Sequence, residues 1–194
     1  MVRWSAAVLL ALPGAWAVYA VLGELDAPGS VLGADPGETL VLHFGVWALR
    51  ITLLAMLVSS LSRRTRFTRI VRIRRMVGLF AFFYATLHVL AYVAFLATFS
   101  VQAVVDDLTE RTYITVGFAS WLILLALAVT STRGWQRRLR QAWKRLHRGV
   151  YLAVALALVH LWWLTKDGFL ELALYTLIFA ILLAERFIPR GKRQ

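Results

Sequence analysis

Cysteine is absent from all 194 residues, which removes disulfides, iron–sulfur clusters, thiolate metal sites and thioether-attached haem in one step. Any metal chemistry must therefore rest on histidine, methionine or carboxylates. Charge is also scarce, at 16% of residues against about a quarter in ordinary soluble domains. Acids are scarcer still, 10 against 22 Lys and Arg. No glycine-rich phosphate loop, Ser/His/Asp arrangement or pair of catalytic carboxylates stands out in the apolar stretches. No internal repeat and no low-complexity linker is evident.

What is present is apolar surface. Hydrophobic residues make up 60% of the chain, and the excess must face lipid. They fall in six blocks at residues 4–23, 40–61, 76–99, 113–132, 149–164 and 169–184, each about long enough to cross a ~30 Å hydrocarbon core as a helix. The expected fold is an all-α integral membrane bundle of six transmembrane helices, forming a single domain over residues 1–194.

The connections alternate in charge. Residues 24–39 hold four acids and no Lys or Arg, residues 62–75 seven arginines and no acid, residues 100–112 three acids and one arginine, and residues 133–146 six basic residues and no acid. Because cytoplasmic loops carry the Lys/Arg excess, both chain termini are expected to be cytoplasmic and the acidic loops outside. A tight outward connection over 165–168 and a basic tail with Arg186, Arg190, Lys192 and Arg193 fit that scheme. The net charge of +12 is accounted for in the same way, so nucleic acid is not an expected partner.

The first block admits a second reading. Arg3 precedes it and Ala15-Trp16-Ala17 resembles a signal-peptide cleavage site. Its apolarity continues through Val18–Leu22, which favours a retained helix on length. Residues 133–147 place Trp135, Leu139, Ala142, Trp143 and Leu146 at helical spacing opposite basic side chains. That pattern reads as an interfacial helix in contact with membrane lipids, or as a solvated basic loop anchored by two tryptophans.

All four histidines, His43, His88, His147 and His160, lie in or at the edge of an apolar block, where ionisable groups are costly and tend to be functional. The alternative for any one of them is an imidazole hydrogen-bonded between helices. At ~1.5 Å per residue, His88 and His160 fall near one level of the bilayer, whereas His147 lies ~20 Å deeper toward the cytoplasm and His43 near the outer boundary. Small residues share the faces of the level pair: Ala81, Ala85 and Ala91 with His88, and Gly149, Ala153 and Ala157 with His160. A flat macrocycle would fit in such a slot, although close helix packing uses Gly and Ala for the same reason. Zinc is the competing metal, but catalytic zinc usually takes three protein ligands, and no Asp or Glu lies at that depth. Haem ligated by two imidazoles is therefore the favoured reading, and it suits electron transfer.

His147 and His160 project ~140° apart around a helix and cannot serve one site. The level opposite His147 offers Arg74 and Arg75, which leaves a second haem without a matching histidine. Arg50, mid-span on the face of His43, requires an anionic partner; a haem propionate would serve, as would snorkelling or a backbone carbonyl.

The ordered motifs Gly33-Ala-Asp-Pro36, His43-Phe44, Arg74-Arg-Met-Val-Gly-Leu-Phe80, Ala85-Thr-Leu-His88, Thr112-Tyr-Ile-Thr-Val-Gly-Phe118, Leu127-Ala-Val-Thr-Ser-Thr-Arg133, Trp143-Lys-Arg-Leu-His147-Arg-Gly-Val-Tyr151 and Val159-His160 together resemble the MsrQ family, formerly called YedZ. The resemblance covers nearly the whole chain. That family belongs to the ferric-reductase-like transmembrane group of the bacterial inner membrane. The resemblance implies b-type haem held by His88, His147 and His160, and a periplasmic molybdopterin-containing methionine sulfoxide reductase as catalytic partner. It also implies electrons drawn from the quinone pool, with bound FMN or a separate cytosolic flavin reductase as other donors. Relatives with full ferric-reductase architecture have two histidines on the helix that here carries only His88. Two other functions remain open at this point: a self-contained ferric or cupric reductase, and a transporter using His and Arg as a relay.

Overall fold

The computed structural model describes residues 2–64, 68–165 and 168–187. Part of the arginine-rich 62–75 connection, the middle of the 165–168 turn and the tail residues Arg190, Lys192 and Arg193 lie outside the described residues. Among those described, all regular structure is helical: α1 (Val2–Asp26), α2 (Pro36–Arg64), α3 (Thr68–Ala91) with a π-helical turn (Tyr92–Leu96), α4 (Val101–Glu110), α5 (Thr112–Val129), α6 (Arg133–Leu146), α7 (Gly149–Leu164) and α8 (Phe169–Ala184).

Among the described residues, four helices are long and apolar enough to cross a membrane: α1, α2, α3 with its π turn, and α5. A fifth results if α6 and α7, bent by 48°, count as one broken span. α8 is apolar but has 16 residues, about 24 Å.

α2 is the central helix, touching α1, α3, α7 and α8. Its Leu49, Leu53 and Met56 pack with Val154 and Leu158 of α7 and with Leu172, Tyr175 and Leu182 of α8. Ala48 and Ile51 face Val77, Ala81, Tyr84 and Ala85 of α3. Polar ties join the helices: Ser60 of α2 donates to the Glu185 carboxylate beyond α8, and Ser120 of α5 donates to Ala153 O of α7 at 2.8 Å.

α1 carries Pro13, which lacks an N–H and disturbs the local ladder. Tyr84, fully buried, inserts its hydroxyl at that point. It accepts from Gly14 N–H at 2.8 Å and donates to Leu10 O at 2.8 Å, bridging two groups that an unbroken helix would join directly. With Ala17 and Ala20 also buried, α1 is integral to the packing.

Two segments differ from the sequence expectation. The third apolar block does not run straight to residue 99, because the π turn is followed by Thr98 and Phe99 with φ of 48° and 57°. The acidic connection beyond it is helical: Ser100 caps α4 by accepting from Ala103 N–H. The segment read as an interfacial helix does form α6, capped by Thr132 but broken at Arg140, whose φ is 48°.

Candidate haem-ligand pair

His88 projects from α3 and His160 from α7, and their ring centroids stand 6.1 Å apart with planes at 81°. Each ring is held from behind in the same way. His88 Nδ1 donates to Val41 O of α2 at 2.8 Å, and His160 Nδ1 donates to Tyr113 O of α5 at 2.7 Å. A carbonyl only accepts, so the proton is on Nδ1 in both rings, and a neutral imidazole is left with its Nε2 lone pair free. This is the arrangement of a metal-ligating histidine whose outer nitrogen is anchored.

The backs of the rings lie against glycine. A methyl group at Gly45 would stand 2.9 Å from His88 Nδ1, and one at Gly117 would stand 2.7 Å from His160 Nδ1. Sequence reasoning missed both glycines, and the signal was a repeat. Val41 and Tyr113, Gly45 and Gly117, Ala81 and Ala153, Ala85 and Ala157, and His88 and His160 are each separated by 72 positions. The α2–α3 and α5–α7 pairs thus hold their histidines in the same way and at one offset along the chain. The same offset carries Arg75 onto His147.

The spacing of the pair suits two imidazoles that would share one metal ion. With ~2 Å metal–nitrogen bonds and ~1 Å from ring centre to nitrogen, two in-line imidazoles stand ~6 Å apart, as these do. Ala81 and Ala85 on α3 and Ala153 on α7 are buried. Among the described residues no group of three or more His, Asp or Glu could hold a metal, so the other coordination positions would fall to a macrocycle rather than to side chains. α4 is tied to the π turn and to α5: Tyr92 Oη donates to Asp107 Oδ2 at 2.6 Å, Arg111 pairs with Asp107 at 3.1 Å, and Thr115 of α5 donates to Leu108 O at 2.6 Å.

The other candidates lie elsewhere. His43 directs Nε2 at Pro13 O of α1, 3.0 Å away, and stacks on Trp16 at 4.4 Å; its Nε2 is the protonated nitrogen, the reverse of the pair. Arg50 has protein partners. Its Nε donates to Tyr175 Oη at 2.7 Å, a terminal nitrogen lies 3.6 Å from Glu171, and its guanidinium lies 5.1 Å from the Trp47 ring centre. His147 follows α6, stacks on Trp143 at 3.9 Å and donates Nδ1–H to Trp143 O at 3.1 Å. Its Nε2 is buried and has no hydrogen-bond partner among the described residues. Burial holds this imidazole below its ordinary pKa, and the Arg74 charge acts in the same direction, which favours the neutral form.

Comparison with known proteins bears on what such a bundle is. The family described as "Ferric reductase like transmembrane component" matches residues 44–158, the stretch that contains both glycines and two of the four histidines, His88 and His147. No solved structure matches. Among curated proteins, the chain is 44% identical over 188 residues to the "protein-methionine-sulfoxide reductase heme-binding subunit MsrQ" of Xanthomonas euvesicatoria, covering 96% of this chain and 84% of that one. It is 44% identical over 156 residues to that of Xanthomonas axonopodis, covering 80% and 71%. It is 40% identical over 180 residues to that of Caulobacter vibrioides, covering 92% and 81%. The chain belongs to the MsrQ family of ferric-reductase-like transmembrane proteins and is a multi-pass protein of the bacterial inner membrane.

Proposed function

We propose that this chain is the haem b electron-transfer subunit of a protein-repair system, passing electrons outward to a periplasmic molybdopterin enzyme that reduces methionine sulfoxide in proteins. Haem-dependent electron transfer in the membrane follows from the family. The observation that carries the site assignment is the His88/His160 pair, with each Nδ1 anchored on a backbone carbonyl and each Nε2 left free. A haem with two imidazole ligands supplies a one-electron carrier with no vacant iron position. His147, with its unpartnered Nε2, is the ligand a second haem would use, opposite Arg74 and Arg75.

The six-span arrangement counts α1, α2, α3 with its π turn, α5, α7 and α8, with both termini inside. The alternation of acidic and basic connections supports it, and a short α8 is accommodated by local thinning of the bilayer. α6 then lies along the inner surface. Electrons enter there, from the quinone pool or from a cytosolic flavin reductase, and the basic side chains of α6 suit an anionic flavin such as FMN or an acidic donor. Asp35, Glu38, Asp106 and Glu110 face the catalytic partner on the other side; Asp107 is already taken by Tyr92 and Arg111.

The test is to mix the purified, pre-reduced chain with the periplasmic reductase and follow haem reoxidation. Rapid reoxidation that needs both the reductase and methionine sulfoxide is expected. Equally rapid reoxidation by ferric citrate alone would make the chain a self-contained metal reductase instead.

A further inference from the structure

We infer that Gly45 and Gly117 are positioning residues for the two imidazoles: each uncovers one helix carbonyl, and that carbonyl fixes its histidine with Nδ1 protonated and Nε2 turned toward the metal. The inference rests on the haem reading above and concerns how the chain sets the properties of that group.

In an α-helix the carbonyl at position i accepts from the N–H at i+4 and keeps a second lone pair. The side chain at i+4 leans toward the helix N-terminus, over that carbonyl. A ring from a neighbouring helix reaches the spare lone pair only if position i+4 has no Cβ. Both cradles meet this condition. Val41 is followed four residues later by Gly45, and Tyr113 four residues later by Gly117. A methyl at Gly45 would lie 2.9 Å from Nδ1 and 3.0 Å from Cε1 of His88, and one at Gly117 would lie 2.7 Å and 2.9 Å from the same atoms of His160. These are closer than real Cβ contacts, so alanine at either position pushes the ring off its carbonyl.

Glycine inside a helix is destabilising relative to alanine, so it needs a reason. Ordinary close packing of membrane helices is the rival one, and it predicts a different outcome. A packing glycine changes stability when replaced but leaves the electronic state of the haem alone. A positioning glycine changes the ligand, because the Nδ1–H···O=C bond raises imidazole basicity and so favours ferric over ferrous iron. Loss of the bond raises the midpoint potential. The same geometry on two different helix pairs, 72 residues apart, argues that the requirement comes from the ligand rather than from one local contact.

The experiment compares Gly45→Ala, Gly117→Ala and Gly78→Ala in the purified full chain, by potentiometric titration of the haem α-band and by paramagnetic resonance of the oxidised protein. Gly78 sits in α3 with open space around it and serves as the control. The expected result is an upward shift in midpoint potential and displaced low-spin g values for Gly45→Ala and Gly117→Ala, with Gly78→Ala superimposing on the parent. Parental potential and g values in both cradle variants would overturn the inference. If a cradle variant fails to accumulate, His88→Gly and the double variant His88→Gly/Gly45→Ala are compared instead, since removing the ring removes the clash. Added imidazole should bind the double variant ~10-fold or more weakly, the usual cost of losing an outer-shell partner; equal affinity overturns the inference. A parent chain that purifies without haem ends the haem reading itself, a result distinct from unmoved spectra in a haem-bearing parent.

Discussion

Replacing Tyr84 with Phe keeps the ring and deletes only the hydroxyl that bridges Gly14 N–H and Leu10 O across the Pro13 disturbance in α1. Interhelical hydrogen bonds in membranes average ~0.6 kcal/mol each, so losing two costs at least ~1 kcal/mol if the freed groups find each other. If Pro13 keeps them apart, a buried donor and acceptor stay unsatisfied and the cost rises toward ~3 kcal/mol. For a chain of this length that corresponds to a drop in thermal midpoint of roughly 2–12 °C. Thermal unfolding in detergent, followed by far-ultraviolet circular dichroism, measures it. The haem α-band should keep its position, because the hydroxyl is committed to α1 and not to the histidine pair. An unchanged midpoint would refute the claim that Tyr84 staples α1 to α3.

His43→Ala should retain full haem content, since its Nε2 is spent on Pro13 O, while stability falls by ~1–2 kcal/mol from the lost bond and the stacking on Trp16; loss of haem on pyridine haemochrome assay would make His43 a ligand. Arg50→Lys should lose the bond to Tyr175, worth about 1 kcal/mol, and leave the haem midpoint potential unmoved because Glu171 supplies the nearby anion; a shifted potential would return Arg50 to a propionate. Asp106→Lys with Glu110→Lys should slow electron delivery to the periplasmic reductase on the order of 10-fold at low ionic strength, and the difference should fade in high salt as screening grows. Stopped-flow reoxidation across a salt series reads that dependence.

Much of the bundle is legible in the sequence because lipid demands long apolar runs. α7 and α8 begin and end at the expected residues, bounded by the His147–Arg148 polar break and by Gly168, whose φ of 96° suits glycine. α4 was hidden because three acids in ten residues read as a water-facing loop, and its Ser100 cap becomes visible only once the chain turns at Thr98 and Phe99. The pairing of His88 with His160 follows from helical rise alone. The cradles do not, because each rests on a backbone carbonyl, which every residue has. The one sequence trace is the glycine four positions after that carbonyl, and it gains meaning only beside its copy 72 residues on. Arg50 was expected to seek an anion, but which one depends on Glu171 of α8, a residue 121 positions away that no local pattern connects to it.

The central claim is that His88 and His160 together ligate one haem. A reduced-minus-oxidised visible spectrum of the purified chain, with a pyridine haemochrome count per chain, should show low-spin b-type haem that disappears from both His88→Ala and His160→Ala while each variant still inserts. Parental haem content in both variants, or a folded, colourless parent chain from haem-replete cells, would contradict the account.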